Sequence, residues 1–160
     1  MKWKHRLFFR WMTFTRLPLA WLAGLQLEEC SGQRCVCSLR HSRVNQNPFR
    51  SIYFAALLMA GEMVGGLPAL LYMRKRGYNC AMLVTRIEAE FYKKAVGRIH
   101  FHFEEIEALQ QAIDAAQSSP QEPSTYLAIA WGFDKSGSRV AEVRALWSFK
   151  ARTRAAPKAQ

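Results

Sequence analysis

One carboxylate interrupts an otherwise apolar stretch of the chain. Residues 52–66 read Ile-Tyr-Phe-Ala-Ala-Leu-Leu-Met-Ala-Gly-Glu-Met-Val-Gly-Gly, apolar around the whole helical circumference except at Glu62. A helix of that kind is normally buried. A carboxylate carried into such an interior shifts its pKa, finds hydrogen bonds or serves chemistry, because a stranded charge is costly there. Small residues crowd around it: Ala55, Ala56, Ala60, Gly61, Gly65 and Gly66. They leave room for another backbone or for a ligand. Glu62 is therefore the candidate general base or water-positioning group of a pocket. A structural carboxylate capping something buried is the alternative.

Three other clusters carry reactive groups. His100-x-His102 puts two imidazoles on one strand face beside Glu104, a geometry that could hold a metal; histidines of a sheet face without a metal are the preferred reading. Arg74-Lys75-Arg76, helped by Lys93 and Lys94, could meet phosphates, or could complement the negative end of a helix. Cys30, Cys35, Cys37 and Cys80 show no zinc spacing and no paired histidines follow them. Buried free thiols account for them, with Cys35, Cys37 and Leu39 sharing a strand face, and no metal site is expected.

The elements that must position these groups follow from periodicity. Residues 2–22 read as a helix interrupted near Pro18, with Trp3, Leu7, Trp11 and Phe14 at helical spacing. Residues 24–30 and 33–43 read as strands joined by a turn at Ser31-Gly32. Ser51 is the expected N-cap of the long apolar helix; Pro68 is expected to end or kink it, with Gly77-Tyr78-Asn79 as the exit. Strands follow over 82–93 and 96–104, where Leu83, Thr85, Ile87, Ala89 and Phe91 and then Ile99, Phe101 and Phe103 alternate with polar residues. Residues 105–117 form a short amphipathic helix and 118–124 a Ser/Pro linker. Two more alternating runs, Leu127 to Phe133 and Ala141 to Phe149, are joined by the hairpin turn Asp134-Lys135-Ser136-Gly137. The pattern predicts an α+β fold, a curved antiparallel sheet wrapped around one long buried helix, with an extra N-terminal helix. The expected divisions are an amphipathic helix over 1–23, the sheet domain over 24–150, and a basic disordered tail over 151–160.

Composition narrows the function. The 160 residues suffice for one domain, and half are hydrophobic. Of the net charge of +11, residues 1–16 hold +5 and residues 150–160 hold +4, with no acid in either segment, so the 133 residues between them carry only +2. Specific nucleic-acid recognition wants a basic stripe on the folded body, which this chain lacks. Arg6, Arg10 and Arg16 break the apolar core that a signal peptide needs. The basic, Trp-rich N-terminal helix would suit peripheral contact with a membrane surface; packing on its own domain is the favoured reading. Residues 52–73 are long enough to span a bilayer, yet Glu62, three glycines and Pro68 favour a buried helix. Nothing requires an oxidising compartment.

The order of elements resembles the hotdog fold. The stretch Asn45-Gln46-Asn47-Pro48-Phe49-Arg50-Ser51-Ile52-Tyr53-Phe54-Ala55-Ala56-Leu57, running into Ala60-Gly61-Glu62, is similar to the branch of that superfamily catalogued as a domain of unknown function. Those relatives carry an Asn-rich loop, a Gly-Ser-Ile-His-like helix start and an Ala-Glu nine residues after the His. More distantly it resembles the phenylacetate-pathway and 4-hydroxybenzoyl-CoA thioesterases, which have His-Gly-Gly at the helix start and an acid nine residues after the His. The likeness covers about residues 24–150. It implies a cytoplasmic acyl-CoA or acyl-carrier-protein thioester hydrolase acting in acyl metabolism, without a cofactor beyond the Coenzyme A of its substrate. Glu62 stands at the catalytic acid position, where it would activate or orient a water or attack the carbonyl itself. Tyr53 stands where the relatives have His, and Ala55 where they have the second Gly, whose N–H polarises the thioester carbonyl. Asn47, Phe49 and Ser51 would line the entrance. The resemblance also implies a homodimer, or a dimer of dimers, built through residues 82–93 with active sites at the subunit boundary. The two departures, Tyr53 and Ala55, keep open a second reading: a non-catalytic hotdog protein that binds an acyl or lipid ligand.

Overall fold

The computed structural model describes the backbone of residues 3–152 and the side chains of residues 7–152. The N-terminal helix is broken as Pro18 demands: α1 spans Trp3–Arg16 and α2 Pro18–Leu22, the proline occupying the first helical position, where a missing N–H costs nothing. β1 (Leu25–Cys30) and β2 (Cys35–Arg40) form a hairpin. After a loop comes α3 (Phe54–Arg76), then β3 (Cys80–Phe91), β4 (Arg98–Phe103), α4 (Ile106–Ser118), β5 (Ser124–Phe133) and β6 (Arg139–Ala151). Ala151, expected to begin the tail, is the last residue of β6; the expected disorder beyond Arg152 falls outside the described residues.

The six strands form one antiparallel sheet in the order β1-β2-β4-β5-β6-β3, and α3 packs across β2, β4, β5 and β6. This is the hotdog arrangement: a curved sheet around a long helix. Side chains facing α3 alternate along each strand, among them Cys35, Cys37 and Leu39 on β2, Ile99, Phe101 and Phe103 on β4, and Val143, Trp147 and Phe149 on β6. Phe9, Ala20 and Ala23 join the same core beside Leu25 and Leu27 of β1.

Two features of α3 differ from the expectation. Pro68 neither ends nor breaks it: the helix runs on to Arg76, with Leu67, Pro68 and Ala69 all buried. An interior proline loses one backbone hydrogen bond and crowds the preceding turn, and burial of this segment on the sheet outweighs that cost. The helix ends at Gly77, whose φ of 68° suits glycine; its N–H bonds Arg74 O while Tyr78 N–H bonds Met73 O, a Schellman pair. Ser51, moreover, is not the N-cap. Tyr53 holds that place and makes no side-chain cap. By length and composition α3 could cross a membrane, and most of its apolar window is buried inside the protein.

β3 contains the other departure. Val84 pairs with Trp147 and Arg86 with Leu146, so Thr85 is an extra residue in a bulge. Leu83, paired with Ser148, therefore faces away from α3, whereas Ile87, Ala89 and Phe91 are paired with Ala145, Val143 and Ala141 on the inner face.

Candidate functional site

Glu62 lies in the second turn-pair of α3, half-buried, and burial raises its pKa above the ordinary carboxylate value. Among the described residues its carboxylate makes no hydrogen bond or ion pair. The geometry around it is set by glycine. At Gly61 a Cβ would stand 2.5 Å from Val143 Cβ, so the absence of a side chain lets the helix backbone rest on β6. At Gly66 a Cβ would meet the Trp147 ring at 2.9 Å and Glu62 Oε1 at 3.3 Å. Glu62 and the six-membered ring of Trp147 thus both close on Gly66, where no side chain fits. The indole N–H of Trp147 is buried without an acceptor among the described residues, an uncommon state for a polar group of a folded protein. A carboxylate and an indole N–H, both without partners among the described residues, therefore stand near one another where α3 packs on β6. Trp147 had no motif to mark it; its inner-face parity on β6 is the available signal.

The start of α3 is held by the loop before it. Asn45, 4% exposed, donates from Nδ2 to the carbonyls of Ala23 (2.9 Å) and Arg40 (2.8 Å), and its Oδ1 accepts from Ser42 N–H (2.9 Å). Tyr53 N–H bonds Asn45 O at 2.7 Å and Ile52 N–H bonds Ala95 O at 2.8 Å. These bonds aim the chain into the helix. The first-turn N–H groups of Phe54 and Ala55 have no acceptor among the described residues. They offer two donors at the positive end of a 23-residue helix. Glu62 is seven residues beyond Ala55, on the same helical face and about 10 Å along the axis at 1.5 Å per residue.

Residues 5–148 match the model of a family described as Domain of unknown function (DUF4442). The chain belongs to that family. No curated protein matches it. Among solved structures, a Pseudomonas aeruginosa protein of unknown function, described as a probable thioesterase, is similar with a TM-score of 0.73 at 20% identity, covering 89% of this chain and 93% of that one. A Chlorobaculum tepidum protein of unknown function has a TM-score of 0.76 at 14% identity, covering 89% and 92%. A Haemophilus influenzae thioesterase has a TM-score of 0.62 at 10% identity, covering 81% and 80%. These likenesses establish the hotdog fold.

Within this DUF4442 domain the other expected site residues are placed unevenly. Asn47 Oδ1 accepts from Phe49 N–H (3.0 Å), Ser51 N–H (3.2 Å) and Ser51 Oγ–H (3.2 Å), so Asn47 and buried Ser51 are committed to shaping the loop. Phe49 is exposed. Tyr53 is exposed and packs its ring on Phe54, which in turn meets Phe91 of β3 edge-on at 6.4 Å. Of the basic groups, Lys93 is bound to Asp134 at 2.7 Å and Arg76 lies over Tyr72 and Tyr78, leaving Arg74 and Lys75 exposed. His100 and His102 pair with Phe133 and Trp131 on the outer sheet face; His102 meets Phe133 edge-on, and burial lowers its pKa. Among the described residues no three His, Cys, Asp or Glu side chains converge on one point. An open cleft lies at the start of β3, lined by Ala81, Pro120, Gln121, Lys150, Ala151 and Arg152. Glu62 is not part of it.

Proposed function

We propose that the protein hydrolyses acyl thioesters of Coenzyme A or of an acyl carrier protein, with Glu62 as the catalytic carboxylate. The observation that carries this reading is the desolvated state of Glu62, without a partner among the described residues. A carboxylate raised toward neutrality is a better proton acceptor at working pH than one in water. In the base form of the reaction Glu62 takes a proton from water as the water oxygen bonds the carbonyl carbon. The oxyanion is held by an unpaired N–H of the α3 start. The carbon–sulfur bond then breaks, and the thiolate leaves with the proton from Glu62. In the nucleophilic alternative Glu62 adds to the carbonyl and expels the thiolate as the carbon–sulfur bond breaks. Water then cleaves the acyl anhydride, restoring the Glu62 carboxylate, releasing the acyl group as its acid and supplying the proton that the thiolate takes up.

One protomer does not bring these parts together, since Ala55 and Glu62 stand about 10 Å apart along one helix axis. A second copy would. β3 is an edge strand of 12 residues, and its inner-face Ile87 and Phe91 are exposed, Phe91 beside Phe54. A long exposed apolar edge invites another strand. Pairing of β3 with its own copy sets two α3 helices side by side, so that Glu62 of one faces the helix start of the other and the apolar edge becomes a pocket wall.

Release of free thiol from a panel of acyl-CoAs by purified protein tests the reading. Turnover of at least one chain class is expected; inactivity on all of them, and on carrier-protein thioesters, overturns it. A second reading, an acyl-binding protein without catalysis, is favoured by exposed Tyr53 and by Ala55 in place of a His and a Gly. Activity gained by the Tyr53→His, Ala55→Gly double variant of an inactive wild type would identify that case.

A further inference from the structure

The N-terminal helices present an apolar surface that the hotdog domain does not cover. α1 is apolar on two opposite faces. Phe9 and Thr13 are buried against the domain, whereas Leu7 (53% exposed), Trp11 (60%) and Phe14 (57%) recur at i, i+4 and i+7 on the outward face. α2 repeats the division: Ala20 is buried, while Leu19 (70% exposed) and Leu22 (55%) point outward. The two outer faces are joined, because Phe14 meets Trp21 edge-on at 5.1 Å. Little polar surface interrupts them. Exposed Thr15 turns its hydroxyl onto the carbonyl of Trp11 in its own helix at 3.0 Å. A patch of this many large apolar side chains exceeds what single surface hydrophobics explain and marks an interaction site.

Charge identifies the occupant. The chain holds Lys2, Lys4, Arg6, Arg10 and Arg16 before its first acid, Glu28. Arg10 and Arg16 are both exposed, Arg10 flanking the outward face of α1 and Arg16 in its last turn. A second copy of the same surface would bring like charges together. A bilayer with anionic headgroups matches both features at once, taking Trp, Phe and Leu into the headgroup boundary and drawing the cations to its negative surface. The platform is also rigidly placed. α1 packs on β1, at the opposite end of the sheet from the β3 edge, and Asn45 ties the last residue before Gly24 to the loop that opens α3.

We infer that the outer faces of α1 and α2 form a peripheral docking surface for anionic membranes. It is independent of the proposed hydrolysis. Flotation of the full chain with vesicles of equal parts phosphatidylglycerol and phosphatidylcholine tests it, against vesicles of phosphatidylcholine alone. The chain is expected to float with the anionic vesicles and to be released by salt. The triple variant Leu7→Ser, Trp11→Ser, Phe14→Ser should stay at the bottom with its circular dichroism unchanged. The pair Arg10→Gln, Arg16→Gln removes no apolar contact and should weaken partitioning about fivefold for each charge lost. Failure of the wild type to float with anionic vesicles overturns the inference. So does a triple variant that floats like wild type, or one whose only change is a smaller particle in solution, which would make the face a contact between copies.

Discussion

Burial of Glu62 costs the fold stability, and no partner among the described residues offsets it. Its pKa is raised by desolvation, so the native state holds a proton that the unfolded chain releases near the ordinary value of 4.5. Stability from this group is therefore fully present below that value and is lost as pH rises through the raised native pKa. Glu62→Gln should remove this slope and leave stability at neutral pH unchanged or higher, as chemical denaturation across pH would show. A variant that is less stable at neutral pH and keeps the slope would mean that Glu62 has a hidden partner. The residue was legible in the sequence because a charge in an all-round apolar helix is a local anomaly. Its neighbour Trp147 was not, since 85 positions separate them in the chain and only the sheet register brings them together. Asn47 and Ser51 were legible as a polar loop motif, but not the Asx-type turn in which Asn47 Oδ1 accepts from Phe49 and Ser51.

At the scale of elements, strands and helices were readable wherever a single periodicity governed them. The bulge at Thr85 was not, because Leu83, Thr85 and Ile87 keep perfect alternation in sequence while the extra residue flips Leu83 to the other face. Pro68 misled for a related reason: its local preference to stop a helix is overruled by burial on a distant sheet. Two substitutions check the packing described. Gly61→Ala places a methyl group where Val143 already stands, and should destabilise the fold by about 1–3 kcal/mol in urea unfolding. Arg50 holds φ at 58° in the turn before α3, a left-handed conformation that costs a side-chain-bearing residue about 1–2 kcal/mol. Arg50→Gly should raise the unfolding midpoint; a lower midpoint would show that the arginine side chain supports the loop.

At the scale of the whole molecule, the proposed hydrolysis needs a second copy paired at the edge strand β3. Light scattering at micromolar concentration should give a dimer or a multiple of it, and a clean monomer would remove the shared site. Glu62 and the α3 start would then belong to different protomers at each site, a claim that mixing can probe. Ala55→Pro deletes one N–H within the first helical turn, where proline is tolerated. Mixed and exchanged with Glu62→Gln, it should recover up to about a quarter of wild-type activity, since half the dimers of a symmetric pair are hybrids with one intact site. The most direct test of the account is the thioesterase rate of Glu62→Gln on the acyl-CoA that wild type turns over best. Loss of a positioned base predicts a kcat lower by on the order of 10²-fold or more with the fold intact; a variant that keeps the wild-type rate would take Glu62 out of the chemistry.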